Sequence, residues 1–162
     1  MELDFTAGSL LGRHSQLFHI GVACRRLEDA MSHLGQLFDV RWTPIADDTA
    51  PNLFTSGGPS QWSARRTHSI ASPIPLELLE GSPGSTWDTP KLVTMHHVAY
   101  WSPDVGTDVR ALEAEGWQIE LVLLDADGHP TEFAYLVQPA HVRVELVDVR
   151  RRPGYLALTS ER

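Results

Sequence analysis

The sequence predicts an α+β fold in which two βαβββ modules build one curved, mostly antiparallel sheet. Three observations predict it. A segment recurs after 78 residues, the hydrophobic period switches between strand-like and helix-like within each half, and a glutamate sits between apolar residues in the last strand of each half. The repeat opens at His19-Ile20-Gly21-Val22-Ala23 and returns at His97-Val98-Ala99-Tyr100-Trp101. Carried forward without gaps, the same offset pairs Leu27 with Val105, Met31 with Val109 and Leu34 with Leu112. Steps of four and then three put these side chains on one face of a helix.

Each module thus begins with a strand and continues into an amphipathic helix. The first helix is expected over 27–38, with Leu27, Met31, Leu34 and Phe38 inward. The second is expected over 104–115, started by Ser102-Pro103-Asp104 and stopped by Gly116. Three strands follow in each half. They read as 117–124, 132–138 and 142–149 in the second module, turned by Asp127-Gly128 and Pro139-Ala140, and as 40–44, 61–68 and 74–79 in the first. Residues 46–60, rich in Pro, Gly, Ser, Thr and Asp, read as a long loop of the kind that serves as a lid or binding element. The organisation is then an N-terminal tail 1–13, a first module 14–80, a linker 81–92, a second module 93–150 and a C-terminal tail 151–162. One helix covers only one face of a four-stranded sheet, so two modules side by side leave a concave face as a ligand cavity.

Composition narrows the function. The 162 residues, 42% hydrophobic and 21% charged, suit one compact domain or two small halves with a shared core. A net charge of -8 argues against a nucleic-acid partner. Two short basic clusters, Arg65-Arg66 and Arg150-Arg151-Arg152, read as solvated surface or, more sharply, as a clamp for a carboxylate or phosphate. The single cysteine, Cys24, forms no intrachain disulfide, suits a reducing cytoplasm and reads as a small core residue rather than a nucleophile. The N-terminus lacks a signal-peptide pattern, and no apolar run approaches the roughly 20 residues needed to cross a bilayer. A soluble, cytoplasmic protein with no membrane partner is expected.

The chemistry lies in the repeated positions. Glu77 stands between Leu76 and Leu78, and Glu145 between Val144 and Leu146. Alternation along a strand turns each carboxylate to the face opposite its apolar neighbours. If helices cover the apolar face, both acids point into the cavity, where a carboxylate is costly unless it is paired or bound to a cation. With His19 and His97 they form a two-nitrogen, two-oxygen set suited to one divalent ion: zinc, nickel, cobalt, manganese or ferrous iron. The competing reading takes each strand histidine as structural and each glutamate as solvent-facing; recurrence in both halves favours the metal. His96 is expected on the opposite face from His97. His14, His33, His129 and His141 fall in a tail, a helix and turns, while His68, near a strand end, is a candidate to enter the cavity. Among the aromatics, Trp101 shares the face of His97, Phe133 and Tyr135 share a face of a later strand, and Trp62 and Trp87 lie near the first-module strands. Core packing competes with substrate binding for each of them. An aromatic cavity of this kind favours a ring-containing or polyketide-like substrate.

The segments FHIGVACRRLEDAMSHLGQLFDV, PLELLEGSPGSTW, MHHVAYWSPDVGTDVRALEAEGW and VRVELVD resemble the vicinal oxygen chelate superfamily. That group includes glyoxalase I, methylmalonyl-CoA epimerase, fosfomycin-resistance proteins, bleomycin-binding proteins and extradiol dioxygenases. The resemblance places metal ligands at His19, Glu77, His97 and Glu145. It departs from the epimerases, which often have glutamine where Glu77 stands, whereas glyoxalase I has glutamate. No counterpart of the glutathione-binding residues or of a coenzyme A clamp is visible. The resemblance implies a metal-dependent isomerase, epimerase or lyase working through an enolate, with Glu145 and then Glu77 as the base and Asp47 or Asp48 as weaker alternatives. A ferrous-iron dioxygenase and a non-catalytic drug-binding protein are the competing functions. A small-molecule substrate and a homodimer, with modules paired within or between chains, complete the expectation.

Overall fold

The computed structural model describes residues 16–50, 52–138 and 143–160. The tail 1–13, His14, the Pro139-Ala140 turn, His141 and the first residue of the strand expected at 142–149 lie outside the described residues. The elements run β1 (Leu17–Cys24), α1 (Leu27–Phe38), β2 (Arg41–Trp42), β3 (Ala46–Thr49), β4 (Leu53–Thr55), β5 (Gly58–Ser60), β6 (Ser63–Ile70) and β7 (Leu76–Gly81). They continue as β8 (Val93–Ser102), α2 (Val105–Ala114), β9 (Gln118–Leu124), β10 (Pro130–Val137), β11 (Arg143–Asp148), a 3₁₀ turn (Val149–Arg151) and α3 (Arg152–Thr159).

The two modules pair within the chain. β1 and β8 run antiparallel at the centre, β7 lies parallel to β1, and β11 lies parallel to β8. β6 then adds to β7, while β10 and β9 add beyond β11. The apolar face of each half is covered by its helix. Leu27, Ala30 and Leu34 of α1 pack on Cys24 and Leu78. Val105, Val109 and Leu112 of α2 pack on Val122, Ala134, Leu136, Val144 and Leu146. Asp104 caps α2 by accepting the Thr107 N–H at 2.9 Å, and Gly116 takes the left-handed φ of 88° just past its end. The first helix differs from expectation at its last turn. Met31 is only half-buried and Phe38 is 54% exposed, because Asp39 ends the helix in the left-handed conformation beyond the surface formed by Cys24 and Leu78.

Residues 46–60 are not a loop. β3 pairs antiparallel with β6, β4 pairs with β9, and β5 completes a hairpin with β4. Residues 50–52 alone connect β3 to β4, a reach of roughly 14 Å at most. Strands β6 and β9, far apart in the sheet order, are therefore drawn toward each other. Leu53, Ala64, Leu79, Trp87, Leu121 and Tyr135, drawn from both modules, the insertion and the linker, pack together as one buried cluster.

The segment 151–162, read as a tail, also carries structure: α3 lies over the sheet, and the Ala71 N–H donates to the Thr159 carbonyl at 2.8 Å. The basic clusters are mostly neutralised in place. Arg65 pairs with Glu28 and Glu80, Arg66 with Asp48, Arg150 with Asp148 and Arg151 with Glu132. Among the described residues, no helix is long and apolar enough to cross a membrane.

Candidate metal centre

The register of the four central strands builds the site twice over. In β1 and β7, Gly21 lies opposite Glu77; in β8 and β11, Ala99 lies opposite Glu145. Each glutamate is thus level with the small residue two positions after a histidine, His19 or His97. Across the centre, His97 faces Gly21 and His19 faces Ala99. Small residues opposite both histidines leave room for the rings to lie over the neighbouring strand. At Gly21 the need is strict, because a Cβ there would overlap the His97 ring.

The four side-chain ends come within 4.8 Å of one another, and all four residues are buried. His19 Nε2 lies 3.0 Å from His97 Nε2, 3.4 Å from Glu77 Oε2 and 3.3 Å from Glu145 Oε2. His97 Nε2 lies 3.6 Å from Glu77 Oε2 and 3.2 Å from Glu145 Oε2. Ligand atoms bonded at about 2.0–2.1 Å around a tetrahedral ion stand roughly 3.3–3.4 Å apart, so these separations fit. Neither Oε2 has a hydrogen-bond partner despite full burial. Two buried, unsatisfied anionic oxygens converging with two imidazole nitrogens make a donor set that a divalent cation completes.

The electrostatics carry the same sign. Burial works against a charged His19, but Glu77 and Glu145 outweigh it and raise its pKa to about 9. Burial likewise disfavours a charged Glu145, yet His97 and His19 bring it down to about 2, and His19 with His68 holds Glu77 well below the carboxylate range. The concentrated negative charge thus draws in whatever cation is available, a proton included.

A second layer orients these groups. The backbone carbonyl of Thr86 lies 3.0 Å from His96 Nε2 and can only accept, so that nitrogen carries the hydrogen and His96 Nδ1 is the acceptor. His97 Nδ1, 2.9 Å away, must then donate to it. In the neutral ring this leaves the lone pair of His97 on Nε2, aimed at the cluster. His96 stays neutral: burial, His97 and Arg143 push its pKa down to about 3. Its placement beside His97 corrects the expectation of an opposite face. The ladder shifts register where Gly21 and Val22 of β1 face His97 and Met95, a bulge at His96 that breaks the period of two. On the other side of the cluster, His68 Nε2 lies 3.2 Å from Glu77 Oε1, and Arg66 reaches the same oxygen at 3.8 Å while pairing with Asp48. Asp47 and Asp48 belong to β3 and face Arg65 and Arg66, so neither is a loop acid free to act as a base.

Tyr135 is buried 5.0 Å from the His97 ring, and its hydroxyl accepts from Trp87 Nε1 at 3.3 Å. Phe133 is half-buried and meets Tyr135 edge-on at 6.0 Å, one ring further from the cluster. Trp101, expected on the cavity face of His97, stacks on Phe18 at 3.6 Å and meets Tyr155 edge-on at 5.6 Å. Tyr155, unmarked in the sequence, reaches from α3 to within 5.3 Å of His68 and 6.2 Å of His19. Gly21 had a readable signal, the small residue at the equivalent position 99; Tyr155 had none. His33 and His129 are exposed.

Residues 18–135 match the model of the Glyoxalase/Bleomycin resistance protein/Dioxygenase superfamily. Similar solved structures include methylmalonyl-CoA epimerase from Mycobacterium tuberculosis, 14% identical over 82% of this chain and 86% of that one, with a TM-score of 0.55. A hypothetical protein from Bacillus halodurans C-125 is 17% identical over 84% and 95% of the two chains, with a TM-score of 0.54. A mutant of 4-hydroxymandelate synthase from Streptomyces coelicolor is 16% identical over 83% of this chain and 48% of that one, with a TM-score of 0.50. No curated protein matches the chain. With paired modules, matching register in both halves and a family match over most of its length, the chain belongs to the Glyoxalase/Bleomycin resistance protein/Dioxygenase superfamily and has its vicinal oxygen chelate fold.

Proposed function

We propose that this protein is a metal-dependent isomerase, epimerase or lyase that removes a proton beside the carbonyl of a small or ring-containing substrate. One divalent ion (zinc, nickel, cobalt, manganese or ferrous iron) would be held by His19, Glu77, His97 and Glu145. The observation that carries this reading is the pair of buried, unpartnered Oε2 atoms of Glu77 and Glu145 beside two imidazole nitrogens. A bound divalent ion supplies Lewis-acid polarisation of a substrate oxygen.

The two carboxylates have unequal surroundings, which supports unequal roles. Glu77 is braced from behind by His68 and Arg66 and suits a fixed ligand. Glu145 lacks such a brace and has the buried Tyr135 hydroxyl in its surroundings. Burial and the charges of Glu145 and Glu77 keep that hydroxyl protonated, which leaves it a hydrogen to offer the carboxylate. When Glu145 swings from His97 and His19, it leaves the neighbours that hold its pKa low. Its basicity then rises as it meets the substrate proton. Burial of the set keeps water from competing for that proton. A homodimer and a cytoplasmic setting belong to the same reading; the buried, unpaired Cys24 suits a reducing compartment.

Elemental analysis of protein purified without added metal tests the site. We expect about one divalent ion per chain, with Glu145→Gln and His97→Ala lowering metal content while far-UV circular dichroism is kept. Wild-type metal content in both variants would refute it. Deuterium uptake beside the carbonyl, followed by proton NMR over a panel of carbonyl compounds in heavy water, tests the reaction. Oxygen consumption with ferrous iron would move the assignment to a dioxygenase, and tight binding of hydrophobic compounds without metal would make the protein a sequestering one.

A further inference from the structure

One cavity takes no part in this chemistry. It lies under α3, beside the start of β1 and the end of β8, with a volume of about 260 Å³. Phe18, Trp101 and Tyr155 form an aromatic wall: the first two stack with a 13° tilt, and Tyr155 meets them edge-on at 5.1 and 5.6 Å. Leu17 and Leu156 add apolar surface at 55% and 46% exposure. The Tyr155 ring also faces His19 and His68, and Phe18 meets His19 edge-on at 4.4 Å, so aromatic rings of the wall stand between the cavity and the candidate metal centre.

The charge of the cavity runs against that of the protein. The chain carries a net charge of -8, yet among the described residues Arg152 is the one charged residue lining the cavity. Its two neighbours are neutralised, Arg150 by Asp148 and Arg151 by Glu132. Among the described residues Arg152 has no carboxylate partner. The helix above is lightly held, with Tyr155 and Thr159, one turn apart, as its inward-facing residues. An element with so little buried surface opens at small cost.

We propose that this cavity is a binding subsite for a ring-sized organic anion of the arylcarboxylate class. Arg152 pairs the carboxylate, and the aromatic wall receives the ring. The volume falls just below that of drug-sized pockets, which sets the scale at one or two fused rings. The subsite itself is independent of the metal; only its role as the holder of the substrate's non-reacting end rests on the function proposed above.

Isothermal titration of the purified protein with 2-naphthoate and with neutral 2-naphthamide tests the subsite. Naphthoate should bind the wild type, bind about tenfold more weakly to Arg152→Gln, and recover most of that loss in Arg152→Lys. Naphthamide should bind wild type and Arg152→Gln alike. Naphthoate affinity should persist in His97→Ala and after chelation of metal. No binding at millimolar naphthoate, or equal affinity for wild type and Arg152→Gln, overturns the proposal. Loss of binding on chelation also overturns it, since the carboxylate would then be sitting on the metal. A wild type found to contain no metal would remove the enzymatic reading and leave the naphthoate result standing.

Discussion

The Nδ1 atoms of His96 and His97, consecutive residues of β8, lie 2.9 Å apart, and the hydrogen between them belongs to His97. Thr86 fixes this from the far end, because its carbonyl takes the only hydrogen of neutral His96. Replacing His96 with alanine removes the acceptor and frees the His97 ring to exchange tautomers. Metal affinity, measured by competition with a chromophoric chelator, should fall roughly 10- to 100-fold, the usual cost of losing such a partner. His96→Gln, whose amide oxygen can accept from Nδ1, should recover part of the loss. Nitrogen-15 NMR of the His97 ring should report mixed tautomers in the alanine variant alone. Full affinity in His96→Ala would exclude the relay.

Gly21 and Gly154 should respond to alanine with opposite signs. At Gly21 a methyl group meets the His97 ring, so the ring or the strand must move. Overpacking of this kind costs about 1–3 kcal/mol and here should also lower metal content. At Gly154, in exposed α3, nothing lies within 4 Å of an added Cβ. That substitution should stabilise the helix by up to about 1 kcal/mol. Urea denaturation of both variants, with metal analysis of the first, separates the steric effect from the backbone effect.

Chelation should destabilise the protein without unfolding it at room temperature. Removing an ion from four buried ligands leaves Glu77 and Glu145 facing each other with only the histidines and the more distant Arg66 as counter-charge. At a free metal concentration 100 times Kd, linkage gives about 2.7 kcal/mol. For a chain of this size, that corresponds to a fall in Tm of roughly 5–10 °C. Equal melting curves with EDTA and with added metal would contradict tight binding at this site.

Cys24 should be inert in the native state. Burial, with Glu80 and Glu28 nearby, pushes its pKa up to about 12, and its Sγ–H lies 3.4 Å from the Leu79 carbonyl. A raised thiol pKa means less thiolate: at pH 8 only roughly one molecule in ten thousand is in the reactive form. Reaction with a thiol reagent at pH 8 should therefore be slow when folded and rapid in denaturant. Prompt stoichiometric labelling of the native protein would show that the β1–α1 corner opens readily.

The duplicated architecture was legible because it rests on local periods. The 78-residue offset, the helical stripe through Leu27 and Val105 and the alternation around Glu77 and Glu145 all follow from which face a side chain takes along its own element. What depends on contacts between elements was not legible. The bulge that brings His96 beside His97 arises from the pairing of β8 with β1. Residues 46–60 became strands because two exposed edges, β6 and β9, were there to pair with them, despite a composition typical of loops. The brace of His68 on Glu77 and the cover of Tyr155 over both histidines span 9 and more than 80 residues of sequence, distances that no local pattern encodes. Composition and period assigned each side chain to a face; folding alone decided which faces met, since burial and charge pairing are settled between segments rather than along them.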